Sequence, residues 1–159
     1  MGHSPYPKLY IGTTSHIVYY KQLKDIIYNN NNMEKNKCLV PISLGELYDK
    51  YTILQIKRNK ITNEYKLSNV IKELEYLKYY VDKFNLDLEI IKELEEINKK
   101  LWIIEENIRE KETKNEFDEE FITYARNIYK INDMRSNLKN KINILINSDL
   151  IDIKNYSNI

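Results

Sequence analysis

Cysteine, histidine, glycine and proline are scarce in this chain of 159 residues, and each scarcity removes a class of chemistry. Cys38 stands alone, so no disulfide framework can form within the chain and a reducing compartment is expected. His3 and His16 are the two histidines, and both lie near the N-terminus. A Cys/His zinc centre, a Ser-His-Asp triad or a Cys-His pair would each have to recruit that segment, so no metal and no cofactor is expected. Gly2, Gly12 and Gly45 are isolated, whereas phosphate cradles of the P-loop and Rossmann kinds need clustered glycines. No run approaches the roughly 18 apolar residues of a membrane span, and the basic-then-apolar layout of a signal peptide is missing. A formal net charge of +1 supplies no basic stripe for nucleic acid. A soluble cytoplasmic protein with no nucleic-acid partner is the expectation.

What remains is helical. Hydrophobic residues make up 42% of the chain and charged residues 31%, with Lys and Glu interspersed in the manner of solvated helix faces. Residues 1–37 differ from the rest: Pro5 and Pro7 keep the start extended, a short helix is expected from Ser15 to Ile27, and the four asparagines 29–32 read as a spacer. The domain proper is expected over 38–159. Ser43 and Glu46 form a Ser-x-x-Glu capping box, after which Leu44, Leu47, Tyr51, Leu54 and Ile61 mark the apolar stripe of a first helix. Thr62 or Asn63 caps a second, with Leu67, Val70, Leu74, Leu77, Val81 and Phe84 on one face. A turn at 85–87 precedes a third helix, striped by Ile90, Leu94, Ile97, Leu101, Ile104 and Ile108 and ending near Lys111 to Thr113. A fourth opens around Asp118 and continues through Leu145. No proline follows Pro41, so nothing breaks these helices from inside. The fold class is all-α: an antiparallel four-helix bundle, or long helical hairpins, behind an N-terminal extension.

Polar residues that interrupt the stripes are the candidate site. Arg135 falls between Ile131 and Leu138, with Asn132 and Lys139 on the adjoining line. Asn98 and Glu105 lie one heptad apart, and Arg109 follows Glu105 at i+4. Glu46, Lys50 and Lys57 run along the first helix, with Asp49 at their edge; Arg126 and Asp133 crowd the middle of the fourth. One reading is a structural ion network, for instance Glu105 paired with Arg135. The other is a pocket in which Lys50, Arg109, Arg126 and Arg135 hold an anionic ligand, with Glu105 or Asp133 as acid or base. Lys57 and Asn132 complete the candidate ligand-binding set. Gly45, at the second helical position, permits either an anion at the helix start or a close helix crossing.

Three segments carry a resemblance: Pro41 to Lys57 (PISLGELYDKYTILQIK), Leu101 to Glu112 (LWIIEENIREKE) and Phe117 to Arg135 (FDEEFITYARNIYKINDMR). They are similar to a family of small helical proteins of unknown function, found in bacteria near lipopolysaccharide and glycosyltransferase genes and in some large DNA viruses. The resemblance runs from about Val40 to Tyr156 and leaves residues 1–32 without a counterpart; Asn107 stands where an acidic residue is usual. It implies weight on Gly45, Glu46, Asp49, Lys50, Thr52 and Lys57 in the first helix and on Trp102, Glu105, Arg109 and Glu112 in the third. In the fourth it falls on Arg126, Tyr129, Asn132, Asp133, Arg135 and Lys139, and in the tail on Tyr156. Through gene neighbourhood it implies an accessory or interaction protein of surface-glycan assembly, a homo-oligomer partnered by glycan-assembly enzymes, in the cytoplasm or, for a viral chain, the host cytoplasm or virion. The alternative is a small all-helical enzyme or binding module for an anionic metabolite such as a sugar phosphate or nucleotide sugar.

Overall fold

A computed structural model describes residues 40–84, 86–151 and 153. The chain divides into two units, Met1–Val40 and Pro41–Ile159, and the second holds the helices described below. The short helix expected over 15–27 lies outside the described residues. Among the described residues four helices make up the fold: α1 (Leu44–Lys60), α2 (Glu64–Phe84), α3 (Leu88–Lys114) and α4 (Glu119–Leu145). The expected all-α bundle is therefore the observed architecture, with no strand among the described residues.

Local chemistry sets the boundaries. Ser43 caps α1 by accepting the Glu46 N–H at 3.2 Å, Asp87 caps α3 through Glu89, and Asp118 caps α4 through Phe121, each at 2.9 Å. At the end of α3, Asn115 adopts the left-handed conformation (φ 56°) that closes a helix, and its N–H bonds back to Glu112. The Glu46 side chain, expected to complete a reciprocal box with Ser43, is instead engaged by Lys139 of α4.

α1 is the centre of the bundle: it packs against α2, α3 and α4, whereas α2 touches α1 alone among the other helices. The single apolar stripe read from α1 therefore understates its burial. Leu47, Tyr48, Asp49, Thr52, Leu54 and Ile56 are all buried and point in several directions. Leu54 meets Val70 and Leu74 of α2 in one core cluster. Tyr48 joins Ile90, Leu94, Ile97 and Leu101 of α3 with Leu138 and Ile142 of α4 in the other. The Tyr48 hydroxyl donates to the Val81 carbonyl at 3.2 Å and accepts the Leu86 N–H at 3.3 Å, tying the end of α2 to the approach of α3. Burial pushes its phenol pKa up, so it stays a neutral donor.

α3 and α4 outrun α1. No residue of α3 beyond Leu101, and none of α4 before Ser136, is buried. Over this stretch the two helices form an arm in which Ile104, Ile108, Phe121 and Ile128 are partly buried and no side chain is fully so. At its tip the Lys111 ammonium, itself largely enclosed, contacts Asp118 and Glu120 at 2.8 Å and Glu116 at 3.7 Å. These hydrogen bonds raise the Lys111 pKa and lower those of Asp118 and Glu120, so the clasp is fully charged at neutral pH.

Candidate functional site

The polar residues that reach the interior gather where α1 crosses α3 and α4. Gly45 is the reason the helices come so close: a Cβ there would lie 2.5 Å from the Lys139 carbonyl oxygen and 3.0 Å from Asn143 Oδ1. The second of the two readings of Gly45, a close crossing, is the one the geometry supports. The N–H groups that a helix start leaves unpaired are occupied. Leu44 N–H goes to Ser148 Oγ at 3.2 Å, Gly45 N–H to Asn143 Oδ1 at 2.6 Å, and Glu46 N–H to Ser43 Oγ. None of these three backbone N–H groups is left for an anion.

One turn further along α1, Asn98 Nδ2 donates to Asp49 Oδ1 at 2.9 Å and to Thr52 Oγ1 at 3.0 Å, and the Thr52 hydroxyl donates to the Asp49 carbonyl at 2.9 Å. All three residues are buried. Asp49 is thereby a hidden carboxylate held by a neutral amide, an arrangement that fixes the register of α1 on α3 because no other pairing supplies its donors. On α4, Ser136, Lys139 and Asn143 present a second buried polar line, and Lys139 delivers its ammonium to Glu46. Asn98 Oδ1, Trp102 Nε1, Asn140 Oδ1 and Asn143 Nδ2 are buried without a protein partner, which makes this seam the most polar part of the interior.

The expected charged cluster is arranged differently. Lys50 turns to α2 and pairs with Glu73 at 2.6 Å. Glu105 pairs with Arg109 of its own helix at 3.0 Å, so the anticipated Glu105–Arg135 bridge does not form. The reason is local: an i,i+4 glutamate-arginine pair on a solvated face needs no tertiary rearrangement. Arg126 and Asp133 are exposed, while Lys57, Asn132 and Arg135 are half-buried.

Ser136 and Asn143 escaped the sequence reading as interior residues, and Thr52 entered it only through resemblance. A signal was present: Ser136, Lys139 and Asn143 are spaced three and four residues apart, as are Gly45, Asp49 and Thr52, so each set marks a helix face that is polar and buried.

Outside this seam, a shallow recess of about 200 Å³ separates α1 from α2, lined by Tyr51, Arg58, Ile71, Leu74, Glu75 and Lys78. Among the described residues no group of histidines, cysteines or carboxylates is arranged to hold a metal ion, and no helix is long and apolar enough to cross a membrane. On the arm, Ile103, Phe117, Ile122, Tyr129 and Met134 leave about half of their surface in solvent. Comparison with protein-family models, curated proteins and solved structures finds no match to the chain.

Proposed function

We propose that the protein is a helical interaction module that works as a homo-oligomer alongside glycan-assembly enzymes, with the packed region around α1 as its base and the α3/α4 arm as its binding element. One observation carries this reading: two long helices run on past the core as a hairpin with no buried side chain and five large apolar residues about half exposed. Helices of this kind draw most of their stability from tertiary packing of an apolar face, and a two-helix arm supplies only one such contact. Large apolar side chains left in solvent along a two-helix arm are material for an association surface. The glycan connection comes from the family resemblance alone.

The rival, a site for an anionic metabolite, has fewer resources. Lys50 pairs with Glu73 and Arg109 with Glu105, and the N–H groups of Leu44, Gly45 and Glu46 at the start of α1 are taken. Light scattering behind size exclusion, over a range of loading concentrations, tests the proposal: the mass rises with concentration to a defined oligomer. A mass fixed at the monomer throughout overturns it. A pull-down with purified glycan-assembly enzymes tests the second clause, and retention of none removes it. Stabilisation of the monomer by sugar phosphates or nucleotide sugars would favour the rival, since a ligand at about a hundredfold over its Kd adds ~2.7 kcal/mol.

A further inference from the structure

Two of the orphaned interior atoms are a donor and an acceptor on the same side of one helix. Asn98 and Trp102 stand one turn apart on α3, the i,i+4 relation that makes side chains neighbours. Asn98 Oδ1 can only accept and Trp102 Nε1 can only donate; both atoms are buried, and neither has a protein partner. The Asn98 amide is not free to turn over. Its Nδ2 donates to Asp49 Oδ1 and Thr52 Oγ1, and a flipped amide would set its oxygen against the Asp49 carboxylate. Thr52 has no hydrogen to offer that oxygen, since its hydroxyl donates to the Asp49 carbonyl. Trp102 follows Leu101, the last buried residue of α3, so the unmatched pair lies where the packed base gives way to the arm.

A desolvated donor and acceptor left unpaired are the costliest arrangement for polar groups in an interior. The chemistry of the pair selects what closes it. An anion would accept from the indole N–H and be repelled by the amide oxygen; a cation would reverse the conflict. A molecule that accepts on one side and donates on the other satisfies both, and water is the smallest. Side chains one turn apart have Cβ atoms about 5–6 Å apart, and a water with hydrogen bonds of about 2.8–2.9 Å on either side spans a gap of that order. We propose that one ordered water bridges α3 internally at this point, accepting the Trp102 indole N–H and donating to Asn98 Oδ1. Such waters are part of a fold, because they complete groups that the chain itself leaves unmatched. This one extends the Asp49–Thr52–Asn98 network by one turn, from the crossing with α1 to the root of the arm.

Trp102 is the sole tryptophan, so its indole proton is a single NMR resonance in the full chain. In rotating-frame spectra, where dipolar transfer and chemical exchange have opposite signs, that proton shows a dipolar peak to a long-lived water. A crystal structure places the water oxygen within hydrogen-bond distance of both Trp102 Nε1 and Asn98 Oδ1. Asn98→Ala keeps the indole and removes the acceptor: the dipolar peak is lost and the indole proton moves upfield, with circular dichroism confirming unchanged helix content. The wild-type measurements decide by themselves if that variant does not fold. A wild-type indole proton with no dipolar peak to water shows a dry gap and overturns the proposal. A peak of full strength in folded Asn98→Ala shows a water held by Trp102 alone, and the bridge is overturned. A crystal structure in which a protein group bonds either atom overturns it as well.

Discussion

Leu94 and Ile108 sit two heptads apart on the same stripe of α3, yet Leu94 is sealed from solvent and Ile108 is only partly buried. The difference is α1. Over the base of the molecule it lies against α3 and α4 and closes their shared face; above its end at Lys60 the two long helices have only each other. One continuous pattern thus serves two purposes, as interior in one half and as surface in the other. An amphipathic stripe shows that a helix face will be covered, and it does not show by what.

That contrast can be sharpened by substitution. Leu94→Ala should cost about 4 kcal/mol in denaturant unfolding and Ile108→Ala about 2 kcal/mol, because a partly exposed site loses less transfer energy and opens no closed cavity. Equal losses at the two positions would show the arm to be packed as tightly as the base. Asn98→Ala removes the donor that holds the buried Asp49 carboxylate and should cost about 3 kcal/mol, and Asn98→Asp should do no better, since it replaces the donor with a second acceptor. Gly45→Ala pushes a methyl group into the backbone of α4 and should cost about 2 kcal/mol, with chemical-shift changes concentrated at Lys139 and Asn143.

The smallest effect belongs to the tip. Lys111→Met should leave the global unfolding midpoint nearly unchanged while speeding amide exchange around residues 111–121, because the lost contacts are local to the arm. Acid should act in the same place. The pKa values of Asp118 and Glu120 are held down by Lys111, so the clasp is intact above the ordinary carboxylate range. It is lost as pH falls through the depressed folded-state values, and NMR titration of the tip amides should show it open before the base unfolds. A tip that opens together with the base would mean that arm and base are one cooperative unit.

Much of the fold was legible in the chain. The cap at Ser43, the opening of α4 around Asp118, the stripes of α2 to α4 and the end of α3 all follow from local chemistry that tertiary context leaves alone. α1 was harder to read for a physical reason: Asp49 and Thr52 are buried, but they are polar, and a search for apolar periodicity passes over a face whose burial depends on hydrogen bonds supplied by a residue 49 positions away. The candidate site was harder still. Helical spacing correctly grouped Glu105 with Arg109, because that pair is local. It could not show that Lys50 would turn to Glu73, which depends on how α2 lies against α1. Asn98, by contrast, was visible as a polar break in an apolar stripe, and it proved to be a hinge-pin of the interior.

The bonds that finish the start of α1 come from Asn143 and Ser148, about a hundred residues later in the chain. A growing polypeptide therefore makes its central helix long before it makes the groups that cap it. During synthesis α1 can meet α2 early and α3 next, but its first amides wait on water until α4 has emerged and folded back. A stretch translated about a hundred residues later completes the first helix of the bundle, so assembly of the base is closed by a contact of very high sequence separation, the kind whose loop-closure cost slows folding.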